Sequence, residues 1–481
     1  MAWAPSEWNK SDESSPAFLR LGRSLVEDIR AGELPPGARL PSSRSLATVL
    51  EVHRNTVIAA YEELVAQGWI EALHGRGTFV SRDLPQKISA ARSKVVEPNF
   101  RMSSRPPLIR NAPEPQVLSM AGGLPDTRLV SCTELSRSIR RVLQRGKTLL
   151  DYGSPFGAPR LRTAITAMLR ENRGMDVDEE SVLITRGSQM GIYLLGQALL
   201  QQGDVVAVES TGYRAAFDAL RMTGARLAPV GVDEQGMQVD KLEELHARRK
   251  LRAIYLTPHH QFPTLVTLSA SRRMRLQAFA RKHRIAVIED DYDHEFHYEG
   301  RPVLPMASSN SSGNILYVGT VSKVLAPGLR IGYVVAPPAL INTLAAIRSH
   351  IDSHGDAVME TAIAEWIEEG ELERHARRVR KAYLARRSAL VSLLHTHLGD
   401  AVRFDIPSGG MALWVQSLRS LDVNEWAARA LTAGVRVSPA SLYRIDRRNH
   451  PYMRIGFAKL NEDELAVAVR RLAKVRPDVP S

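Results

Sequence analysis

A single cysteine, Cys132, in 481 residues excludes an intramolecular disulfide framework and fits a reducing compartment. Its neighbours Ser131 and Thr133 carry no charge that would activate a thiolate, so it reads as inert. No uninterrupted apolar run approaches the roughly 18 residues that a membrane span requires, so no membrane segment is expected. The first residues lack the basic start, apolar stretch and cleavage site of an export signal, and the expected location is the cytoplasm. Aromatic residues are sparse at 6% within a hydrophobic fraction of 44%, the composition of an ordinary soluble protein. Acidic residues are the minority among the charges, 52 against 64 basic ones. The resulting net charge of +12 suits a polyanionic partner without identifying it.

Length implies more than one core. Residues 82–118 hold six prolines, seven basic residues and three acidic ones, with no sustained apolar periodicity. That is linker composition, and at roughly 3.1 Å per residue its reach is at most about 115 Å. The chain therefore divides into residues 14–81, a linker over 82–118, and residues 119–481. In the first part Phe18, Leu21, Leu25 and Ile29 recur at helical spacing and stop at Ala31-Gly32. Pro41-Ser42-Ser43 offers a serine cap to a short helix carrying Leu46, Ala47 and Leu50. His53-Arg54-Asn55-Thr56 opens a third helix with Val57, Ala60, Tyr61, Leu64 and Val65 on one face, stopped at Gly68. Trp69–Leu73 and Thr78–Val80 then read as strands flanking His74-Gly75-Arg76-Gly77. Three helices and a tight hairpin predict a winged helix-turn-helix.

This stretch resembles the DNA-binding domain of the GntR family through Gly37-Ala38-Arg39-Leu40-Pro41-Ser42-Ser43-Arg44, Val52-His53-Arg54-Asn55-Thr56-Val57, Gly68-Trp69-Ile70 and Gly75-Arg76-Gly77-Thr78-Phe79-Val80. The resemblance implies double-stranded operator DNA as partner. It assigns DNA contacts to Arg44 and to Arg54, Asn55 and Thr56 at the start of the recognition helix, and sends the wing tip, His74, Gly75 and Arg76, toward the minor groove. An exposed helix start carrying arginine and asparagine suits phosphate and base-edge contacts.

Beyond residue 118 the pattern changes. Short continuous apolar runs, Val182–Ile184, Val205–Val208, Ala253–Leu256, Ile285–Ile288, Ile315–Val318 and Gly332–Val335, alternate with helical stretches. This predicts an α/β fold with a mostly parallel sheet covered on both faces. Polar motifs follow the strand ends, where open α/β sheets bind ligands. Lys323 lies in Gly319-Thr320-Val321-Ser322-Lys323-Val324, directly after one such run, with hydroxyls at Thr320 and Ser322 and a guanidinium at Arg330. A strand that delivers an amine rigidly beside phosphate-binding groups could hold an aldehyde cofactor. Thr185-Arg186-Gly187-Ser188-Gln189-Met190-Gly191 opens a helix, either as an ordinary cap or as an amide grip on phosphate. Tyr213 could stack on a flat heterocycle or simply pack. Glu289-Asp290-Asp291-Tyr292-Asp293 concentrates carboxylates that need a cationic partner if buried.

Together these motifs resemble the fold type I pyridoxal phosphate enzymes of aminotransferase class I and II, from about residue 119 onward. The order is glycine-serine-glutamine, aromatic, Pro258-His259-His260-Gln261-Phe262-Pro263-Thr264, Asp-Asp-Tyr, Ser-Lys, and arginine seven residues on. The Glu-Asp-Asp-Tyr-Asp-x-Glu and His-Gln-Phe-Pro-Thr forms are similar to the MocR (GabR-like) subgroup, in which a GntR head is fused to this domain. The resemblance implies that Lys323 tethers pyridoxal 5′-phosphate, Asp290 partners its ring nitrogen, Tyr292 its phenolate oxygen, and Tyr213 stacks on it. Thr320, Ser322, Arg330, Gly187, Ser188 and Gln189 would cup the phosphate. Tyr152 matches a tyrosine that reaches the partner subunit's phosphate, implying a head-to-tail homodimer, and Arg454 matches the arginine that clamps a substrate carboxylate. Two positions depart from the pattern: Leu265 replaces a glycine, and Ser210-Thr211-Gly212 lacks the proline before the stacking aromatic. Both affect loops around the ligand more than the cofactor's attachment.

No metal site is expected. The pair His294 and His297 has no carboxylate or cysteine set to complete it, and the adjacent His259 and His260 should point in different directions. The implied function is a transcription regulator that senses a small amino-containing metabolite through external aldimine formation at Lys323. The alternatives are a working aminotransferase with an accessory DNA-binding head, residual transamination included, and a sensor of the cofactor itself.

Overall fold

The computed structural model describes residues 15–85, 116–300, 303–309, 312–418 and 421–477. Contacts divide the chain into two compact units, Met1–Arg105 and Pro106–Ser481. Most of the segment expected as a linker, 86–115, lies outside the described residues. Among the described residues no helix is long and apolar enough to cross a membrane.

In the first unit α1 (Ala17–Ala31), α2 (Ser43–Leu50) and α3 (Arg54–Ala66) precede an antiparallel hairpin of β1 (Ile70–Leu73) and β2 (Gly77–Val80). Leu21, Leu25 and Ile29 from α1 meet Leu46 and Leu50 from α2, Val57, Ala60 and Leu64 from α3, and Ile70 and Val80 from the hairpin in one buried cluster. That apolar stripe is what makes three short helices stable, since helices of this length have little stability alone. Ser42 caps α2 by accepting from the Ser45 amide at 3.2 Å, and the Tyr61 hydroxyl of α3 donates to the Pro41 carbonyl at 2.9 Å. The second bond pins the third helix to the turn before the second.

The second unit is built on seven strands: β3 (Val182–Thr185), β4 (Val205–Glu209), β5 (Arg226–Val230), β6 (Leu251–Leu256), β7 (Ala286–Asp291), β8 (Ile315–Thr320) and β9 (Gly332–Val335). Their order is β3-β9-β8-β7-β6-β4-β5, and only β9 runs antiparallel to its neighbours. Every residue of β3, β8 and β9 is buried, as continuous apolar runs require when helices cover both faces. On one face Leu183, Val208, Tyr255, Ile288 and Val318 pack with the helices Ser188–Leu199 and Pro338–Ser349; on the other Ala207, Ile254 and Val287 pack with Val239–Arg248 and Ala270–His283. A second sheet contains β10 (Val402–Phe404), β11 (Ala412–Ser417), β12 (Ser438–Pro439) and β13 (Tyr452–Gly456), all antiparallel, in the order β10-β11-β13-β12.

The consequence for function is geometric. The parallel strands all end at one edge of the large sheet, and the reversed strand β9 begins there, because Gly332 registers with both Thr320 and Thr185. Asp291 registers with Gly319, so the acidic end of β7 and the segment leading to Lys323 share that edge.

Candidate functional site

Asp290 is buried, and its Oδ2 accepts a 2.7 Å hydrogen bond from the Tyr255 hydroxyl on β6, while Oδ1 has no partner. Burial raises its carboxyl to about 7; the Tyr255 bond opposes this and Asp291 adds to it. A carboxyl whose pKa is raised by folding binds its proton more tightly in the fold than in the unfolded chain. Its stabilising effect is present at low pH and is lost as pH rises from the ordinary aspartate range through about 7. In ligand-free protein the urea midpoint is therefore expected to fall between about pH 5 and about pH 7.5, and Asp290→Asn to flatten that fall. An unchanged fall in the variant would assign it to Glu209 and Glu289, which burial also raises to about 7.

Lys323 is half-buried, and its Nζ donates to the Gly123 carbonyl at 2.7 Å. Burial first, then the Arg454 guanidinium, lower the amine to about 8, against the pull of Asp293 and Asp290. At neutral pH about a tenth of such amines are unprotonated, against a few in ten thousand for an ordinary lysine. The arrangement thus supplies a nucleophilic amine beside a buried carboxyl oxygen that lacks a donor.

Arg454 on β13 is 0% exposed, and none of its three guanidinium nitrogens has a hydrogen-bond partner. Its guanidinium lies 4.3 Å over the Phe262 ring, a partial compensation. A Cβ at Gly122 would stand 2.3 Å from Arg454 Nε, so only glycine lets the backbone approach there. Phe262 also meets Tyr213, Tyr292 and Tyr443 edge-on at 5.8, 5.8 and 5.2 Å between centroids. The buried Tyr292 hydroxyl lies near the Arg454 guanidinium without meeting it in hydrogen-bond geometry.

The Thr320 hydroxyl donates to the Ile331 carbonyl at 2.9 Å and accepts from the Ser322 amide at 3.1 Å, leaving the buried Ser322 hydroxyl without a partner. Arg330 is exposed and donates to the Arg186 carbonyl at 2.8 Å. Its guanidinium sits 3.2 Å from where a Cβ of residue 187 would be, and Gly187 has φ 78°. Gly187 is the N-cap of the helix Ser188–Leu199, whose first turn carries Ser188 and Gln189 and receives no side-chain cap. Free amides, a free hydroxyl and a guanidinium suit a phosphate.

Tyr152 stands apart: it is 87% exposed and its ring contact is with His354. In the first unit Arg44, Arg54 and Asn55 are exposed and Thr56 is half-buried at the start of α3, where Arg54 Nε donates to Ser43 Oγ at 3.4 Å. His74, Gly75 and Arg76 are exposed at the hairpin tip.

The departure at residue 265 has a structural counterpart. Leu265 holds the left-handed conformation, φ 69°, with its side chain buried. Thr211 and Leu265, one from each departing segment, line the same cavity of about 430 Å³, together with Trp414, Arg444 and Tyr452.

Sequence reasoning missed Tyr255, which looks like core in an apolar strand, and Gly122-Gly123, which carried a visible backbone signal. The expected divergence of the histidines is corrected. His259, His260 and His297 present nitrogens within 4.8 Å of one another. Residues 257–264 form an irregular turn rather than a strand, so adjacent side chains need not alternate.

Comparison with known proteins agrees with this organisation. Residues 117–472 match the family model "Aminotransferase class I and II", and residues 19–80 match "Bacterial regulatory proteins, gntR family". The chain is 32% identical over 438 residues to the "Probable rhizopine catabolism regulatory protein MocR" of Rhizobium meliloti, covering 89% of this chain and 87% of that protein. It is 28% identical to the Bacillus subtilis HTH-type transcriptional regulator YdfD over 98% of both chains. Among solved structures, the α-aminoadipate aminotransferase LysN of Thermus thermophilus, complexed with N-(5′-phosphopyridoxyl)-L-leucine, superposes with a TM-score of 0.70 at 29% identity, covering 75% of this chain and 92% of that one.

Proposed function

The chain belongs to the aminotransferase class I and II family and carries a gntR-family DNA-binding head, the arrangement of MocR-type transcription regulators, and from that premise we propose that its pocket senses a small amino-containing carboxylate and alters the grip of paired heads on operator DNA. Its cofactor is pyridoxal 5′-phosphate, which supplies an aldehyde that amines capture and a ring that draws in their electrons. The residues fit this group on three observations: the buried Asp290 Oδ1 has no donor and suits a cationic N–H, the Tyr292 hydroxyl meets no partner in hydrogen-bond geometry, and Ser322 Oγ lies free beside Thr320.

In this reading Lys323 is the tether, and its lowered pKa keeps part of the amine population competent. Asp290 holds the ring nitrogen's proton, Tyr292 donates to the phenolate oxygen, and Tyr213 stacks on the ring. Gly187, Ser188, Gln189, Thr320, Ser322 and Arg330 bind the phosphate. Tyr152, being largely exposed, is assigned to a second copy's phosphate in a head-to-tail homodimer.

One observation carries the effector class: Arg454, a fully buried guanidinium with no acceptor, next to Lys323. A buried cation of that kind wants an anion, and a carboxylate can bond it bidentately. The cavity lined by Trp414, which registers with Arg454 across the second sheet, would then choose among amino acids. Spectral titration of the cofactor-loaded protein with amines, amino acids and their decarboxylated analogues tests this. Amino acids should perturb the cofactor absorbance at concentrations at least tenfold below those of the matching amines, in line with the worth of a charge-assisted bond. Equal responses would remove the carboxylate from the reading. Steady multiple turnover with an amino donor and a keto acid would make the head accessory to an enzyme.

The DNA half is tested separately. Arg54→Ala is expected to weaken operator binding about tenfold to a hundredfold while cofactor content stays at the wild-type level. Unaltered affinity in a mobility-shift titration would take Arg54 out of the interface. Such a regulator acts where the chromosome lies, so the cytoplasm is its proposed location.

A further inference from the structure

The pocket leaves one buried cluster of coordinating groups unused. His259 is 4% exposed, and neither of its ring nitrogens has a hydrogen-bond partner. A buried imidazole with both nitrogens idle is costly unless something binds it. His260 packs beside it at 4.2 Å between ring centroids, and His294 and His297 follow at 4.9 and 6.1 Å. His260 Nδ1 lies 2.8 Å from Asp293 Oδ1, with both side chains 1% exposed. A carboxylate on one imidazole nitrogen fixes the tautomer and leaves the other nitrogen as a ligand, the arrangement that supports metal-bound histidines.

We propose that His259, His260 and His297 bind a divalent late first-row transition ion, with Zn2+ as the reference. Their nitrogens lie within 4.8 Å of one another. Points so spaced are each no more than about 2.8 Å from a common centre, against the roughly 2.0–2.1 Å of a zinc–imidazole bond. Each ring needs to move by less than about 1 Å, a rotamer-scale adjustment. An all-imidazole set suits Zn2+, Cu2+, Ni2+ or Co2+ and disfavours Mg2+ and Ca2+. A path for the ion exists, because a cavity of about 560 Å³ includes His294 and His297 in its wall. Solvent from that cavity supplies a fourth ligand. The ion ties the turn after β6, which continues into Gln261 and Phe262, to the segment after β7, which follows Asp290. It therefore bridges two walls of the ligand pocket, and this inference stands whether or not the effector reading does.

The test uses the full-length, cofactor-loaded chain after removal of adventitious metal, titrated with Co2+ and then challenged with Zn2+. One Co2+ per chain is expected, with visible d–d absorption that one equivalent of Zn2+ abolishes. His297→Gln and His259→Gln should each weaken Co2+ binding at least about 100-fold. Cofactor absorbance and the far-ultraviolet spectrum report whether each variant is folded. X-ray absorption of the Zn2+-loaded wild type needs no variant and should give a nitrogen and oxygen shell with three imidazoles. Absence of Co2+ and Zn2+ binding below about 100 μM, too weak for a three-histidine site, overturns the proposal. So does stoichiometric binding that survives both substitutions, or a shell with fewer than three imidazoles.

Discussion

Lys323→Ala is expected to abolish the visible absorption of the purified protein and to reduce cofactor retained through gel filtration from near one per chain to a small residue. The lysine follows the strand edge that carries Asp290, and burial with the Arg454 guanidinium of the second sheet lowers its amine to about 8. Alanine keeps the phosphate-binding groups and the Asp290 carboxyl, so weak noncovalent binding should remain. A loss of only about 3 kcal/mol in cofactor affinity already corresponds to more than a hundredfold. A far-ultraviolet spectrum, measured beside the absorption and cofactor content, separates loss of the tether from loss of the fold. Persistence of the wild-type spectrum in the variant would mean that another amine holds the aldehyde, and the assignment of Lys323 would fall.

Arg454→Met should divide two properties that a structural arginine would lose together. With no guanidinium nitrogen in hydrogen-bond geometry with an acceptor, and the Phe262 ring and the Tyr292 hydroxyl as its neighbours, the charge is unfavourable in the free protein. Replacing it with an apolar chain of similar length is expected to leave the thermal midpoint of the ligand-free form unchanged or raised. Amino acid effectors, by contrast, lose a desolvated ionic partner, and their affinity should fall by roughly 2–5 kcal/mol, a factor of about thirty to several thousand. The two readouts are thermal unfolding and spectral titration. A variant that is several degrees less stable yet binds effectors normally would return Arg454 to the core.

Much of this architecture was legible because burial writes itself plainly into sequence. β3 and β8 are apolar up to their last residues, and β9 throughout, because both faces of each are covered. The same fact conceals direction: Gly332–Val335 looks like its parallel neighbours, and nothing in its residues marks it as the strand that runs the other way. In the head, Ser42 as a cap and the stripe from Leu21 to Leu64 were readable since capping and helical periodicity are local. Long-range contacts were not. Lys323 meets the Gly123 carbonyl across 200 residues, and the Tyr255 hydroxyl finds Asp290 only because β6 and β7 lie side by side in parallel. The histidines illustrate the opposite error. Residue spacing said that they diverge, but the turn that carries His259 and His260 obeys no strand alternation, and the segment after β7 brings His297 to them.

Leu265 carries a further implication. A branched side chain kept at φ 69° works against its own backbone preference by about 1–2 kcal/mol. Such tension persists only where the surroundings gain more from the isobutyl group than they lose. Its methyls press toward Gly410, where even a Cβ would come within 2.6 Å, and the same residue walls the cavity beside the aromatic pair Trp414 and Tyr452. Leu265→Gly is therefore expected to relax the backbone at this turn and to enlarge the cavity that Leu265 shares with Thr211, Trp414 and Tyr452.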